Sequence, residues 1–214
     1  LAVAPSVVVL TLAITGAGVR QAEACASHLS TASLSGIEPV DVGIGYWGAE
    51  SDRISSPKYS ETASWDVLER YSAHLAKERL KPCIPTQAWE KLAWHRKQGH
   101  RLVLVTATVA PMAEAMAEVL GMDAVYGCGP AERTGLLSGS ERGWSVPRRK
   151  GKVPVVQADA ANHGHDLSKC YGYGNTLADS WFMALCGHAV AVSPEAALRR
   201  HAEKEGWTIV DWRS

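Results

Sequence analysis

Residues 171–207 read YGYGNTLADSWFMALCGHAVAVSPEAALRRHAEKEGW. The short apolar runs in this stretch have the length of buried strands, and the segments between them have the spacing of helices. The predicted elements are a strand at Cys170–Tyr173, a helix at Leu177–Leu185, a strand at Ala189–Val192, a helix that begins at Ser193 and Pro194 and ends at Gly206, and a strand at Thr208–Val210. Strands that alternate with helices indicate a parallel sheet covered on both faces, so the predicted fold class is α/β.

The alternation continues toward the N-terminus. Pro111 predicts a helix start, because the missing N–H of proline is not needed in the first turn of a helix. The remaining predicted elements are strands at Val7–Leu10, Leu102–Val105 and Ala124–Tyr126, helices at Trp65–Leu80, Thr86–Gly99, Pro111–Gly121 and Val153–Asn162, and a long irregular segment at 127–151. Together these elements predict one Rossmann-like parallel sheet.

The composition limits the classes of partner. The chain has 214 residues, which predicts one domain with a modest insertion. Its 22 Lys and Arg balance its 22 Asp and Glu. General electrostatic capture of nucleic acid or of an anionic membrane needs a large positive excess, so neither is expected as a partner. We expect a small-molecule substrate or ligand.

The cysteines and the N-terminal stretch bear on the compartment. Five scattered cysteines without a C-x-x-C pair are typical of reduced thiols, which predicts a cytoplasmic protein. The apolar stretch LAVAPSVVVLTLAITGAG has no positive region before Arg20 and is short for a bilayer span, so a buried strand is the favoured interpretation. A secreted chain is the less favoured alternative.

Several candidate site residues follow predicted strands. Ligands of open parallel sheets bind beyond the carboxyl ends of the strands. Thr11 follows the first strand, Thr106 ends the second, and Gly174 with Asn175 follows the strand at Cys170–Tyr173. Because these strand ends meet at one edge of a parallel sheet, we expect the four residues to lie near one another.

Three motifs stand out together: LVLVTAT at 102–108, the lysine-bearing RRKGK at 148–152, and the stretch 171–207 quoted above. They resemble motifs of the haloacid dehalogenase superfamily, in particular its branch of phosphoserine-phosphatase-like hydrolases. Their order and spacing match the family from about residue 80 to the last residue. The resemblance implies a HAD-like core.

The resemblance also implies a mechanism. In this family an Asp-x-Asp motif after the first strand supplies a nucleophile that becomes a phosphoaspartate, an acid/base and a Mg²⁺ ligand. Thr106 matches the residue that holds the phosphoryl oxygens, and Lys152 matches the charge-neutralising lysine, with Lys150 as the alternative register. Asn175 to Asp179 matches the acidic motif that binds Mg²⁺.

The first motif departs from the family pattern. The alignment puts Thr11 at the nucleophile, Ala13 at the acid/base and Thr15 at the motif's threonine, and Asn175 replaces the first acid of the last motif. Mg²⁺ prefers anionic oxygen ligands, and a threonine hydroxyl is a weak nucleophile without an adjacent base. We therefore predict no cofactor, with Mg²⁺ binding weak or absent, and no ordinary phosphomonoester hydrolysis.

The family inserts a cap between its first two motifs. Here we predict a mainly helical cap at 17–84 and a core made of 1–16 and 85–214. Tyr46 and Trp47, which lie beside glycines, are candidates for the wall of a substrate pocket. The alternative interpretation is a cap with its own small core and solvated charges.

Three functions stay open. The first is a repurposed, metal-independent enzyme, with a role in biosynthesis as one expectation, that acts on a small metabolite such as an anion. The second is a non-catalytic pseudophosphatase that binds a ligand or partner protein, and the third is a residual phosphomonoester hydrolase. For the first, the catalytic candidates are Thr11, Thr106, Lys152 and Asp179, and the substrate-binding candidates are Ala13, Thr15, Tyr46, Trp47, Gly174 and Asn175.

Other conspicuous residues have simpler interpretations. His163 and His165 look like a metal pair, but they lie in a helix-to-strand connection, which faces away from the strand ends in this topology. His95 lies on a predicted helix and is expected at the surface. Trp65 falls in the predicted cap, where it could line a pocket.

Overall fold

The computed structural model describes residues 7–10, 64–135 and 143–212. The strands within these ranges are β1 (Val7–Leu10), β2 (Arg101–Val109), β3 (Ala124–Cys128), β4 (Tyr171–Gly174), β5 (His188–Val192) and β6 (Thr208–Val210). They form one sheet in the order β3-β2-β1-β4-β5-β6. Every pair of neighbours is parallel, which confirms the predicted α/β class.

Six α-helices and several short turns connect these strands in the described ranges. The helices are α1 (Trp65–Leu75), α2 (Thr86–Lys97), α3 (Ala110–Leu120), α4 (Lys152–Asn162), α5 (Ser180–Met183) and α6 (Ala196–Glu205). A π-helical turn at Ala76–Leu80 and 3-10 turns at Lys81–Cys83, Arg149–Gly151, Leu167–Lys169 and Leu177–Asp179 lie between them. No helix of these ranges has both the length and the apolar character needed to cross a membrane.

Part of the predicted site lies outside the described residues. This applies to Thr11, Ala13, Thr15, Tyr46 and Trp47. Residues 17–63 of the predicted cap also lie outside them. The assignments made to these positions stay predictions.

Strand β2 shows how the sheet separates two layers of core. Val103 and Val105 pack against side chains of α4, α5 and α6, whereas Leu102 and Leu104 pack against α2 and α3. Side chains alternate between the faces of a strand, so consecutive apolar residues fill both layers. The apolar run of β2 is continuous because both of its faces are covered.

Helix α1 packs against α3. Trp65, at its start, is 5% exposed, and its ring centroid lies 5.7 Å from that of Trp144. The backbone N–H of Trp65 donates to the carbonyl of Gly135 at 3.2 Å. Trp65 therefore packs against Trp144 within the described ranges, and the expectation that it lines a pocket stays a prediction. The boundary between core and cap at 84 and 85 stays a prediction.

Helix α6 begins later than the sequence predicts. Ser193 has a φ of 40°, and its hydroxyl accepts a hydrogen bond from the backbone N–H of Trp212. This contact ties the end of β5 to the segment after β6, so the chain cannot start a helix at Ser193 and Pro194. The first helical residue is Ala196.

His95 is buried, which contradicts its predicted surface position. It is 1% exposed on α2, and its Nε2 lies 2.7 Å from the hydroxyl of Tyr173. Its Nδ1 lies 2.8 Å from Nδ1 of His100. Burial, together with the charges of His100 and Lys91, lowers the pKa of His95 to about 3. The position three residues after buried Leu92 explains the burial, because this spacing puts both side chains on one helix face.

Candidate functional site

The carboxyl ends of β1, β2 and β4 meet at one edge of the sheet. β1 lies between the other two strands, with Leu10 in register with Leu104 and Tyr173. Thr106 lies two residues beyond Leu104, and Asn175 lies two residues beyond Tyr173. The chain therefore leaves all three strands at the same edge, as the strand-end prediction requires.

Thr106 is the polar residue that β2 contributes to this edge. It is 4% exposed, and its Oγ accepts the backbone N–H of Thr108 at 3.1 Å and lies 3.0 Å from Oγ of Thr108. The pairing of β2 with β3 shifts register between Val105 and Val109, and α3 begins at the next residue. Thr106 thus lies inside β2, at the break in its pairing with β3 and four residues before α3 begins.

Lys152 and Asp179 form a buried ion pair at the same edge. Nζ of Lys152 donates to Oδ1 of Asp179 at 2.7 Å, and the two side chains are 6% and 1% exposed. Lys152 is the first residue of α4 and follows the turn at Arg149–Gly151. Lys150 is exposed instead, with its Nζ 4.2 Å from the ring centroid of Trp181. Of the two lysine registers, Lys152 is therefore the one that reaches the acid.

The second carboxylate oxygen of Asp179 is also occupied. Oδ2 accepts hydrogen bonds from the backbone N–H groups of Asn175 at 3.2 Å and Thr176 at 3.1 Å, and from the Thr176 hydroxyl at 3.0 Å. These bonds close a capping box over the turn Leu177–Asp179 and divide the predicted helix Leu177–Leu185 into this turn and α5. Thr176 is not among the predicted site residues, although its T-x-x-D spacing is a helix-start signal in the sequence.

Gly174 has a steric reason to be glycine. A Cβ on this residue would lie 2.5 Å from Cβ of Asp179 and 2.7 Å from Sδ of Met183. No side chain fits at that distance, so β4 passes Asp179 closely only with glycine here. The predicted contact of Gly174 with substrate stays a prediction.

Asn175 connects the site to the start of α6. Its backbone carbonyl accepts the N–H of Glu195 at 2.9 Å. Glu195, which the sequence analysis did not consider, is exposed and lies at the N-cap of α6, so this acidic residue belongs to the same edge. Its signal in the sequence is its place just after the end of β5.

The described residues do not form the Mg²⁺ site that the family resemblance implies. Both oxygens of Asp179 accept hydrogen bonds from the donors given above, with which a metal would have to compete. Residue 175 is an asparagine, and the described ranges contain no cluster of three or more His, Cys, Asp or Glu able to hold a metal ion. Mg²⁺ needs several hard oxygen ligands. The absence of a cofactor stays a prediction, because Thr11 to Thr15 lie outside these ranges.

His163 and Asp159 lie at the opposite end of α4 from Lys152. An 11-residue helix separates its ends by about 15 Å, so His163 is far from the strand-end site. Nδ1 of His163 lies 2.8 Å from the carbonyl oxygen of Asp159, while the Asp159 carboxylate accepts hydrogen bonds from Arg101 and Tyr126. The prediction that His163 faces away from the site is confirmed.

Sequence comparison finds relatives among hydrolases. The chain is 28% identical over 171 residues to the "inhibition of morphological differentiation protein" of Streptomyces azureus, over 77% of this chain and 61% of that one. It is 30% identical over 143 residues to phosphoserine phosphatase SerB1 of Mycobacterium tuberculosis, over 65% of this chain and 46% of that one. The chain thus spans less than two thirds of either curated relative.

Structural and family comparisons agree with this result. A protein of unknown function from Bordetella pertussis Tohama I shares the fold with a TM-score of 0.64 and 24% identity, over 72% of this chain and 70% of that one. The family model described as haloacid dehalogenase-like hydrolase matches residues 42–183, a segment that contains Thr106, Lys152 and Asp179. Since this match covers more than half of the chain, the chain belongs to the haloacid dehalogenase-like hydrolase family.

Proposed function

We propose that this family member acts without a divalent metal on a small anionic metabolite bound at the strand-end site. The state of Asp179 carries the proposal: Lys152 holds one carboxylate oxygen, and three hydrogen bonds engage the other. A carboxylate that accepts four hydrogen bonds orients a lysine, and a metal would have to compete with these donors. The residues Thr11, Ala13 and Asn175, which stand in place of family acids, support the same proposal.

Stabilisation of an anion is the chemistry that these groups supply. An ammonium group has three N–H donors, and the bond to Asp179 uses one of those of Lys152. The ammonium is almost fully buried, where electrostatic interactions are stronger than in water. Lys152 would stabilise negative charge on a bound carboxylate, enolate or phosphate, Asp179 would position Lys152, and Thr106 would hold the anion beside the start of α3.

The other predicted site residues enter the proposal from the sequence alone. The proposed role of Thr11 is catalytic. The proposed substrate contacts are Ala13, Thr15, Tyr46, Trp47, Gly174 and Asn175. The cap at 17–84, the place in biosynthesis and the cytoplasmic location stay predictions.

Two alternatives compete with this function. The name of the Mycobacterium tuberculosis relative, a phosphoserine phosphatase, favours phosphomonoester hydrolysis as the alternative reaction. A pseudophosphatase would keep Lys152 and Asp179 for binding alone. These alternatives differ from the proposal in their need for metal and in whether the ligand is changed.

The test is incubation of the purified chain with a panel of small carboxylates, enolisable keto acids and phosphate monoesters. Each mixture is analysed by mass spectrometry, once with EDTA and once with Mg²⁺. We expect one class of anion to be converted equally well in both. Conversion of phosphate monoesters only with Mg²⁺ would support the phosphatase alternative, and saturable binding without conversion would support the pseudophosphatase.

A matched pair of lysine variants locates the activity. Lys152→Met removes the buried ammonium, whereas Lys150→Met removes an exposed one two residues away. We expect conversion to be lost in the first variant and retained in the second. Equal conversion by both variants would remove Lys152 from the site.

A further inference from the structure

A cavity of about 340 Å³ lies over β4, β5 and β6. Its lining includes Tyr171, Tyr173, His188 and Trp212, and none of the strand-end residues Thr106, Lys152 or Asp179 belongs to it. Ligand pockets in proteins usually start at about 300 Å³, so this cavity is large enough for a small organic molecule.

Aromatic and imidazole rings form part of the cavity wall, beside small and aliphatic residues of β5 and β6. The ring centroids of Tyr171 and His188 lie 4.4 Å apart at an interplanar angle of 21°, and those of Tyr173 and Trp212 lie 6.2 Å apart. Tyr171 and Tyr173 are two residues apart on β4, so they project from the same face of the sheet. Such walls suit a planar aromatic ligand, because offset or edge contacts between rings are favourable.

The charge of the lining favours an anion. Lys91 of α2 lines the cavity, and its Nζ lies 4.9 Å from the ring centroid of Trp94. No Asp or Glu lines the cavity, and Lys91 makes no ion pair within the described ranges. A ligand that brings a carboxylate would meet a cation with no competing acid in the wall.

A buried hydrogen-bonded chain fixes one wall. The hydroxyl of Tyr173 lies 2.7 Å from Nε2 of His95, and Nδ1 of His95 lies 2.8 Å from Nδ1 of His100. Tyr173 and His95 are 2% and 1% exposed. A neutral imidazole accepts through one nitrogen and donates through the other, so His95 can bridge its two neighbours. The Tyr173 ring is thus held in place before any ligand enters, which favours binding.

From these observations we propose that the cavity over β4, β5 and β6 is a second binding site, specific for a small planar aromatic carboxylate. Lys91 binds the carboxylate, the rings of Tyr171 and Trp212 contact the aromatic plane, and the buried Tyr173 supports them from below. The site is independent of the function proposed for the strand ends, because the two share no residue.

The test is isothermal titration calorimetry of the full chain with 2-naphthoate. Two further probes separate the features of the ligand: 2-naphthalenemethanol keeps the ring and lacks the charge, and cyclohexanecarboxylate keeps the charge and lacks the plane. We expect saturable binding of one 2-naphthoate per chain and at least tenfold weaker binding of the other two. Absence of saturable 2-naphthoate binding, or equal binding of 2-naphthalenemethanol, would overturn the proposal.

Two lysines of the same helix give a matched comparison. Lys91→Met should weaken 2-naphthoate binding about tenfold, which corresponds to about 1.4 kcal/mol, whereas Lys97→Met, at an exposed position outside the lining, should not change it. His188→Ala, at an exposed position, should also weaken binding. Equal affinity of the Lys91 and Lys97 variants would overturn the assignment of the anion to Lys91, and thermal unfolding of each variant verifies that it is folded.

Discussion

Nζ of Lys152 lies 2.7 Å from Oδ1 of Asp179, and neither side chain is more than 6% exposed. Burial removes each charge from water, which costs free energy, and attraction to the opposite charge offsets part of that cost. Removal of one partner leaves an uncompensated buried charge, which typically costs about 3–5 kcal/mol of stability. Replacement of both partners by apolar residues of similar volume is often neutral.

This relationship predicts a non-additive pair of substitutions. Lys152→Met should lower the free energy of unfolding by about 3–5 kcal/mol. Lys152→Met combined with Asp179→Asn, which removes the charge and keeps a side-chain oxygen for the bonds from Asn175 and Thr176, should recover part of the loss. Urea unfolding measures both, with Lys150→Met as an exposed control expected to change little. The proposed function also requires that neither the single variant nor the double variant is active, because both lack Lys152. A double variant as unstable as the single one would contradict this account of the pair.

Gly174→Ala should disturb the position of Asp179. The added methyl would lie 2.5 Å from Cβ of Asp179, so either β4 or the turn must move. Overpacking of this kind costs about 1–3 kcal/mol. Gly172→Ala on the same strand is the comparison, because its nearest contact is the Cys186 sulfur at 3.0 Å and the expected loss is smaller. Urea unfolding ranks the two variants, and the reverse order would contradict the steric explanation.

The hydroxyl of Thr176 should stabilise the folded chain. Thr176→Val keeps the shape and removes the hydrogen bond to Oδ2 of Asp179, whereas Thr176→Ser keeps the bond. A hydrogen bond to a charged group contributes about 1.5–3 kcal/mol. We expect the valine variant to lose stability in this range and the serine variant to stay close to the parent in urea unfolding. Similar losses for both would show that the hydroxyl alone does not account for the contribution of Thr176.

Added Mg²⁺ should not stabilise the chain. A ligand that binds only the folded state raises its stability according to its concentration relative to Kd. The carboxylate of Asp179 already accepts four hydrogen bonds, and Thr11, Ala13 and Asn175 are not carboxylates. Thermal unfolding with EDTA or millimolar Mg²⁺ should therefore give the same Tm. A saturable rise of Tm with Mg²⁺ would contradict the metal-independent function.

Much of the fold could be predicted because it depends on local patterns. The apolar run Leu102–Val105, the proline at 111 and the glycine at 121 each fix an element or its end, and the structure has all of them. Strand β2 continues to Val109, beyond the predicted end at Thr106, because its later residues pair with β3 after a shift of register. Such a shift depends on a neighbouring strand and leaves no local signal.

The sequence names candidate residues of the site, but it does not show which of them are in contact. The family motif offered two lysines, and the choice of Lys152 depends on how α4 packs against the turn that carries Asp179, a contact across 27 residues. His95 was misplaced because a histidine is more often polar surface than core, and its partner Tyr173 lies 78 residues away. Tertiary hydrogen bonds of this length cannot be read from spacing.

The burial of His95 predicts a pH dependence of stability. The ordinary pKa of 6.5 falls to about 3 in the folded chain, chiefly through burial and then through the charges of His100 and Lys91. Between these values the unfolded chain binds the additional proton, so stability is complete above about pH 6.5 and falls as the pH decreases toward 3. One such group gives a slope of at most about 1.4 kcal/mol per pH unit.

His95→Gln keeps hydrogen-bonding groups toward Tyr173 and His100 and cannot take up that proton. Urea unfolding at several pH values from neutral to about 4 should therefore show a shallower decline for the variant than for the parent. A residual slope is expected from His100, because burial lowers its pKa as well. Parallel curves for the two proteins would show that His95 is protonated as easily in the folded chain as in the unfolded one, against the burial seen in α2.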